Sequence, residues 1–176
     1  MNEEMRPSEG YFPMFFNVAD KKVLIVGAGT IARRRIETLL SFGAELTVAA
    51  PEWMEEIGSY AARGQIRLLK QAYAPQLLNK EYFMVIAATD CGQLNREICN
   101  EGRKLGILVN NASDRSQCDF YFPAIVKQGD IIAGVCAGGK DHRLVRRVAA
   151  GMRSWLKQFI LEDDKTAFLK NENENL

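Results

Sequence analysis

The chain has 176 residues, 47% of them hydrophobic, and its 23 Lys and Arg nearly balance 22 Asp and Glu; one main domain with an appendage fits that length, and no net field recruits nucleic acid or a membrane surface. The opening MNEEMRPSEG is acidic where a signal peptide is basic and then apolar, and no stretch approaches the roughly 18 apolar residues of a membrane span. Cys91, Cys99, Cys118 and Cys136 form no CxxC pair and His142 is the single histidine, so a cytoplasmic chain with free thiols and no metal cage is expected.

In chain order, KKVLIV (21–26) is a continuously apolar run and reads as a strand. It breaks at two glycines and resumes as TIARRRIETLLSFGA, where Ile31, Ile36, Leu39 and Leu40 recur near helical spacing and Gly43 ends the helix. ELTVAA (45–50) reads as a second strand, EWMEEIGSYAARG (52–64) as a helix closed by Gly64, and QIRLL (65–69) as a third strand. YFMVIAATD (82–90) is a fourth strand, Asp90 is the candidate N-cap of a helix running to Gly106, and ILVNNA (107–112) returns to strand. The fold class is α/β, a Rossmann-type parallel sheet covered on both faces, with the nucleotide domain assigned to 1–112.

After residue 112 the rhythm changes. FYFPAIVKQGDIIAGVCA (120–137), inside a segment taken as 113–140, reads as an antiparallel β-hairpin turning at Lys127-Gln128-Gly129-Asp130, with Pro123 placing its first strand at an edge. Such a ribbon cannot bury both faces alone, so a final helix or a second subunit must cover it. The C-terminal helical segment (141–176) supplies the helix. Asp141 can cap it, Leu144, Val145, Val148, Met152, Trp155, Leu156 and Phe159 form one apolar stripe, and the polar text beyond Leu161 reads as a frayed end.

The chemistry is concentrated where the first strand meets its helix. Gly27, Gly29 and Ala32 fit G-x-G-x-x-A, which needs a tight turn, a residue without a side chain beside the pyrophosphate, and a small residue for helix packing. The candidate cofactor residues are Gly27, Gly29, Thr30 and Ile31 at this loop, Pro51 and Glu52 after the second strand, and Thr89 and Asp90 after the fourth. The second strand ends in Ala49-Ala50, without the acid that usually grips an adenosine ribose. Glu52 is the nearest substitute, and reads equally as a solvated glutamate in a helix's first turn. No Lys or Arg stands at that strand end to welcome a 2′-phosphate, which favours NAD over NADP; Arg33 to Arg35 are the residues that weaken this preference. Thr89 and Asp90 serve either as crevice contacts or as an ordinary helix cap.

YFPMFF, KKVLIVGAGTIARRR, TVAAPE, VIAATD, ILVN, CDFYFPAIVKQGD and GGKDHRLVRRV, taken together from Tyr11 to Leu156, resemble the precorrin-2 dehydrogenase family, including the amino-terminal part of siroheme synthase. The resemblance implies NAD-dependent oxidation of precorrin-2 to sirohydrochlorin in siroheme biosynthesis, sometimes followed by ferrous-ion insertion, and a homodimer paired through the segment after the nucleotide fold. A tetrapyrrole edged with carboxylates needs donors at fixed points and an apolar floor. Gly138 and Gly139 precede the last helix and expose its first N–H groups, while Lys140, Arg143, Arg146 and Arg147 gather on its polar side. Family members often carry two adjacent acids after the VN strand, the first implied as catalytic acid or base. Here Ser113 stands at that position with Asp114 next, so Asp114 and Ser113 are the catalytic candidates and Asp119 the fallback. Asp114 requires irregular backbone at NASDR and a pKa raised by burial. A serine common before the paired glycines is Ala137, and the usual Ser-Pro after them is Asp141-His142. His142 reads as a metal ligand or proton shuttle, or as a residue of the capping region. The competing function is a nucleotide- and tetrapyrrole-binding regulatory or carrier protein that has lost its chemistry.

Overall fold

Val23 to Val26 are buried along their whole length because their strand, β1 (Lys22–Val26), lies at the middle of a sheet. A computed structural model describes residues 12–138 and 141–173, and the chain divides into two units between Phe120 and Tyr121. In the first unit β2 (Glu45–Ala50), β3 (Ile66–Lys70), β4 (Met84–Ala87) and β5 (Leu108–Asn111) join β1 in the order β3-β2-β1-β4-β5. Every pairing is parallel, with Val23 opposite both Leu46 and Met84. Unbroken apolar strands are what a parallel sheet covered on both faces demands.

Helix α1 (Thr30–Leu40) lays Ala32, Ile36 and Leu39 into the core. Ile31, expected on that stripe, is instead exposed, because 32, 36 and 39 already make one helix face. Helix α2 (Glu55–Ala62) starts later than residue 52, since the preceding turn is tied back by the Met54 N–H donating to the Ala28 carbonyl at 3.2 Å. Helix α3 (Gly92–Leu105) takes Cys91, not Asp90, as its N-cap. The Cys91 N–H donates to the Thr89 hydroxyl at 3.2 Å, and this local turn carries the chain one residue further before the helix begins. Gly106 closes α3 in left-handed backbone.

The segment after Ala112, expected to go with the hairpin, is bonded to β5. The Asp119 carboxylate accepts the Val109 N–H at 3.0 Å and the Asn110 amide donates to the Phe120 carbonyl at 2.9 Å, around a 3-10 turn at Arg115–Gln117. In the second unit β6 (Ala124–Gln128) and β7 (Ile131–Val135) form an antiparallel hairpin through Gly129-Asp130. Helix α4 (His142–Asn173) covers one face of it with Ala149, Met152 and Leu156 against Val126, and Arg153 donates to the Ile125 carbonyl at 2.7 Å. The predicted stripe therefore splits, leaving Leu144, Val148, Trp155 and Phe159 exposed together with Ile131 and Ile132. The backbone of α4 continues to Asn173 instead of fraying after Leu161, in a stretch that contains neither Gly nor Pro. No helix among the described residues is long and apolar enough to cross a membrane.

Candidate active site

From β1 the chain moves outward through β2 and β3, then returns to place β4 on the other side of β1. The carboxyl ends of β1 and β4 thus flank the point where strand order reverses, the place at which α/β sheets open a binding crevice. Gly27 follows β1 with φ 101°, and a Cβ there would lie 2.3 Å from the Ala88 carbonyl oxygen. Both the backbone angle and the approach of the next loop require glycine. Gly29 is different: a Cβ built on it meets none of the described residues within 4 Å. The described residues leave that space open, in front of a helix whose first turn has neither a side-chain cap bond nor an acidic residue. Free N–H groups, the helix dipole and room for close approach together suit a diphosphate, so the residues present fit a bound dinucleotide.

At the end of β2, Ala49 and Ala50 are buried and Pro51 and Glu52 are exposed. Lys70 lies over the Trp53 ring, 5.9 Å from its centroid. Arg33 is ion-paired with Glu37, whose carboxylate also accepts the Tyr60 hydroxyl at 3.3 Å. Arg33, one of the three arginines within reach of a 2′-phosphate by sequence, thus already has an anionic partner.

Beyond β4 and β5 lies a polar network that sequence reasoning missed. Asn95 is fully buried; its Oδ1 accepts the Thr89 N–H at 3.1 Å and the Thr89 hydroxyl at 2.7 Å, and its Nδ2 donates to the Thr89 carbonyl at 3.0 Å and the Ser113 Oγ at 3.1 Å. Ser113 Oγ donates onward to Asn111 Oδ1 at 2.7 Å, which also accepts the Ser113 N–H at 2.9 Å and the Asp114 N–H at 3.2 Å. The Cys118 thiol closes the loop by donating to the Asn111 carbonyl at 3.2 Å, and burial holds its pKa above the ordinary thiol value. One signal was available: Asn95 shares the helical spacing of Ile98, Cys99 and Gly102, a polar residue on an apolar face.

Asp114 caps the 3-10 turn, accepting the Ser116 hydroxyl at 2.6 Å and the Ser116 N–H at 3.0 Å. The backbone at NASDR is irregular, as expected from the sequence, with β5 ending at Asn111 and the 3-10 turn starting at Arg115. The bonds from Ser116, however, hold its carboxyl below the usual aspartate pKa, the opposite of the rise expected from burial. Asp119 is engaged by Val109 and by Arg103 at 3.3 Å, a structural placement.

In the second unit Gly138 has φ 57° and Asp141 caps α4, its carboxylate accepting the Leu144 N–H at 2.8 Å. That helix start is therefore partly satisfied by its own acid, where an open anion site was expected. Arg143 and Arg146 are exposed, and the Arg146 Nε donates to the His142 carbonyl at 3.4 Å. Gly139 and Lys140 lie outside the described residues.

Strand-switch crevice, glycine loop and uncapped helix start define a Rossmann-type dinucleotide-binding unit. A family model described as putative NAD(P)-binding matches residues 14–124, and the chain belongs to that family. It is 38% identical over 145 residues to a probable multifunctional siroheme biosynthesis protein HemA of Ruminiclostridium josui, and 34% identical over 146 residues to siroheme synthase 1 of Serratia proteamaculans. These matches cover 82% and 83% of this chain but 28% and 30% of those proteins, so the chain spans under a third of their length. A solved structure described as SirC, precorrin-2 dehydrogenase, matches with a TM-score of 0.70 and 29% identity over 82% of this chain and 70% of that one. The resemblance and fold class read from the sequence are both borne out.

Proposed function

We propose that this chain is a precorrin-2 dehydrogenase that oxidises precorrin-2 to sirohydrochlorin with NAD, in siroheme biosynthesis. What carries the reading is one coincidence: the open Gly29 cradle sits at the strand-switch crevice of a chain alike over 82% of its length to a protein described as a precorrin-2 dehydrogenase. The nicotinamide, when bound, supplies the hydride acceptor. The chain's own residues do the rest. Gly27, Gly29, Thr30 and Ile31 receive the diphosphate, and Pro51 and Glu52 border the adenosine end. NAD is favoured over NADP because Arg33 is held by Glu37. After β4, Asp90 and the backbone at Thr89 form the other lip; the Thr89 hydroxyl is turned inward onto Asn95.

Removing a hydride from the macrocycle obliges a proton to leave as well, and Asp114, ionised beside Ser113, is the acceptor we assign. Gly138, Gly139, Lys140, Arg143 and Arg146 are assigned to the substrate's carboxylates. The apolar face left open on α4 and the hairpin supports a homodimer, and the near balance of 23 basic and 22 acidic residues supports a cytoplasmic location with neither nucleic acid nor membrane as partner. Iron insertion into sirohydrochlorin is the further activity to examine, by supplying ferrous ion and following siroheme formation.

Ser113 favours a second reading. Its hydroxyl is bonded between Asn95 and Asn111 and cannot act as a base near neutral pH. A nucleotide- and tetrapyrrole-binding carrier is the protein that would result if Asp114 took no proton. A single-turnover mixture of protein, NAD and precorrin-2 separates the two: the enzyme yields NADH and the sirohydrochlorin spectrum, and the carrier binds both ligands without either signal.

A further inference from the structure

Asn95 lies in the first turns of α3 with no solvent exposure, yet its side-chain partners all lie outside the helix, in the loops that follow β4 and β5. A buried amide left unsatisfied is costly, and an aliphatic side chain would suit a face shared with Ile98 and Cys99 at no such risk. The bonds made by Asn95 have a direction. By accepting the Thr89 N–H it fixes the Ala88–Thr89 peptide plane, whose carbonyl oxygen is the atom nearest the position of a Gly27 Cβ. By donating to the Thr89 carbonyl at 3.0 Å it fixes the next peptide as well, and its remaining proton orients Ser113.

We propose that Asn95 is the positioning residue of the nucleotide crevice: one buried amide sets the loop that faces Gly27 and the loop that bears Ser113 and Asp114, so that dinucleotide affinity and turnover depend on the same side chain. The inference rests on the reading of that crevice as an NAD site. It separates Asn95 from residues that only hold the sheet together, because its bonds bind loop to loop rather than helix to strand.

The test is calorimetric titration of NAD into the full chain, at a temperature well below each variant's melting point, alongside precorrin-2 turnover. Asn95→Ala should weaken NAD binding about tenfold or more, the equivalent of one or two lost hydrogen bonds, and should lower kcat as well. Asn95→Asp, which keeps both acceptor contacts to Thr89 and loses the donated bonds, should fall between wild type and Asn95→Ala. Thr89→Val should weaken binding roughly threefold, and adding it to Asn95→Ala should cost little more, since both remove the same contact. If Asn95→Ala does not fold, Asn95→Asp decides alone: loss of its donated bonds should weaken NAD binding and lower kcat, and unchanged affinity and kcat in that variant would overturn the proposal. A lowered melting point with unchanged NAD affinity and kcat, or fully additive losses, would overturn the proposal. Failure of the wild type itself to bind NAD would instead remove the nucleotide reading beneath it.

Discussion

Two glycines two residues apart do different work. Gly27 answers to the protein, through its positive φ and the Ala88 carbonyl against it, whereas the room at Gly29 is used by none of the described residues. Gly29→Val should therefore leave the fold and its melting temperature close to wild type while removing most NAD affinity, because the new side chain enters the diphosphate's place. Calorimetry checks it, and unchanged affinity would refute the loop assignment. The two carboxylates near β5 separate in the same way. Asp114→Asn should lower turnover by about two orders of magnitude, the low end for a general base because Ser116 depresses its pKa, with NAD affinity nearly intact. Asp119→Asn should instead lower the melting temperature, since it loosens the carboxylate that accepts the Val109 N–H. A large turnover loss in Asp119→Asn with a normal Asp114→Asn would reverse the assignment.

At the scale of elements, α4 carries the clearest unfinished surface. Ala149, Met152 and Leu156 are used on the hairpin, while Trp155 and Phe159, stacked with ring centroids 5.2 Å apart, stand open beside Leu144 and Val148. If this face pairs two copies, sedimentation should show a dimer, and Trp155→Asp should yield monomers with an intact secondary-structure spectrum. A wild type that stays monomeric at high micromolar concentration would exclude that pairing. What sequence made legible follows from which interactions are local. The strands, the glycine loop, Gly106 at the end of α3 and Asp141 as the cap of α4 are written in neighbouring residues. The shift of the α3 cap from Asp90 to Cys91 was not, because it depends on the Thr89 hydroxyl choosing a turn over a cap. Nor was the Asn95–Ser113–Asn111 network, whose partners meet only once β4 and β5 are side by side. The split of the α4 stripe was hidden for a similar reason: periodicity shows which residues share a face, not how much of that face one hairpin can cover.

For the molecule as a whole, the dinucleotide crevice belongs to the first unit, and Arg143 and Arg146, exposed near the start of α4, belong to the second. The chain matches less than a third of its longer relatives, so the oxidation must be demonstrated on this chain itself. The decisive measurement is single-turnover absorbance with the full chain in excess over precorrin-2 and NAD present. The account predicts NADH and sirohydrochlorin rising together in equal amounts, and no reaction when NAD is withheld. Bound NAD and bound precorrin-2 with neither product formed would contradict it.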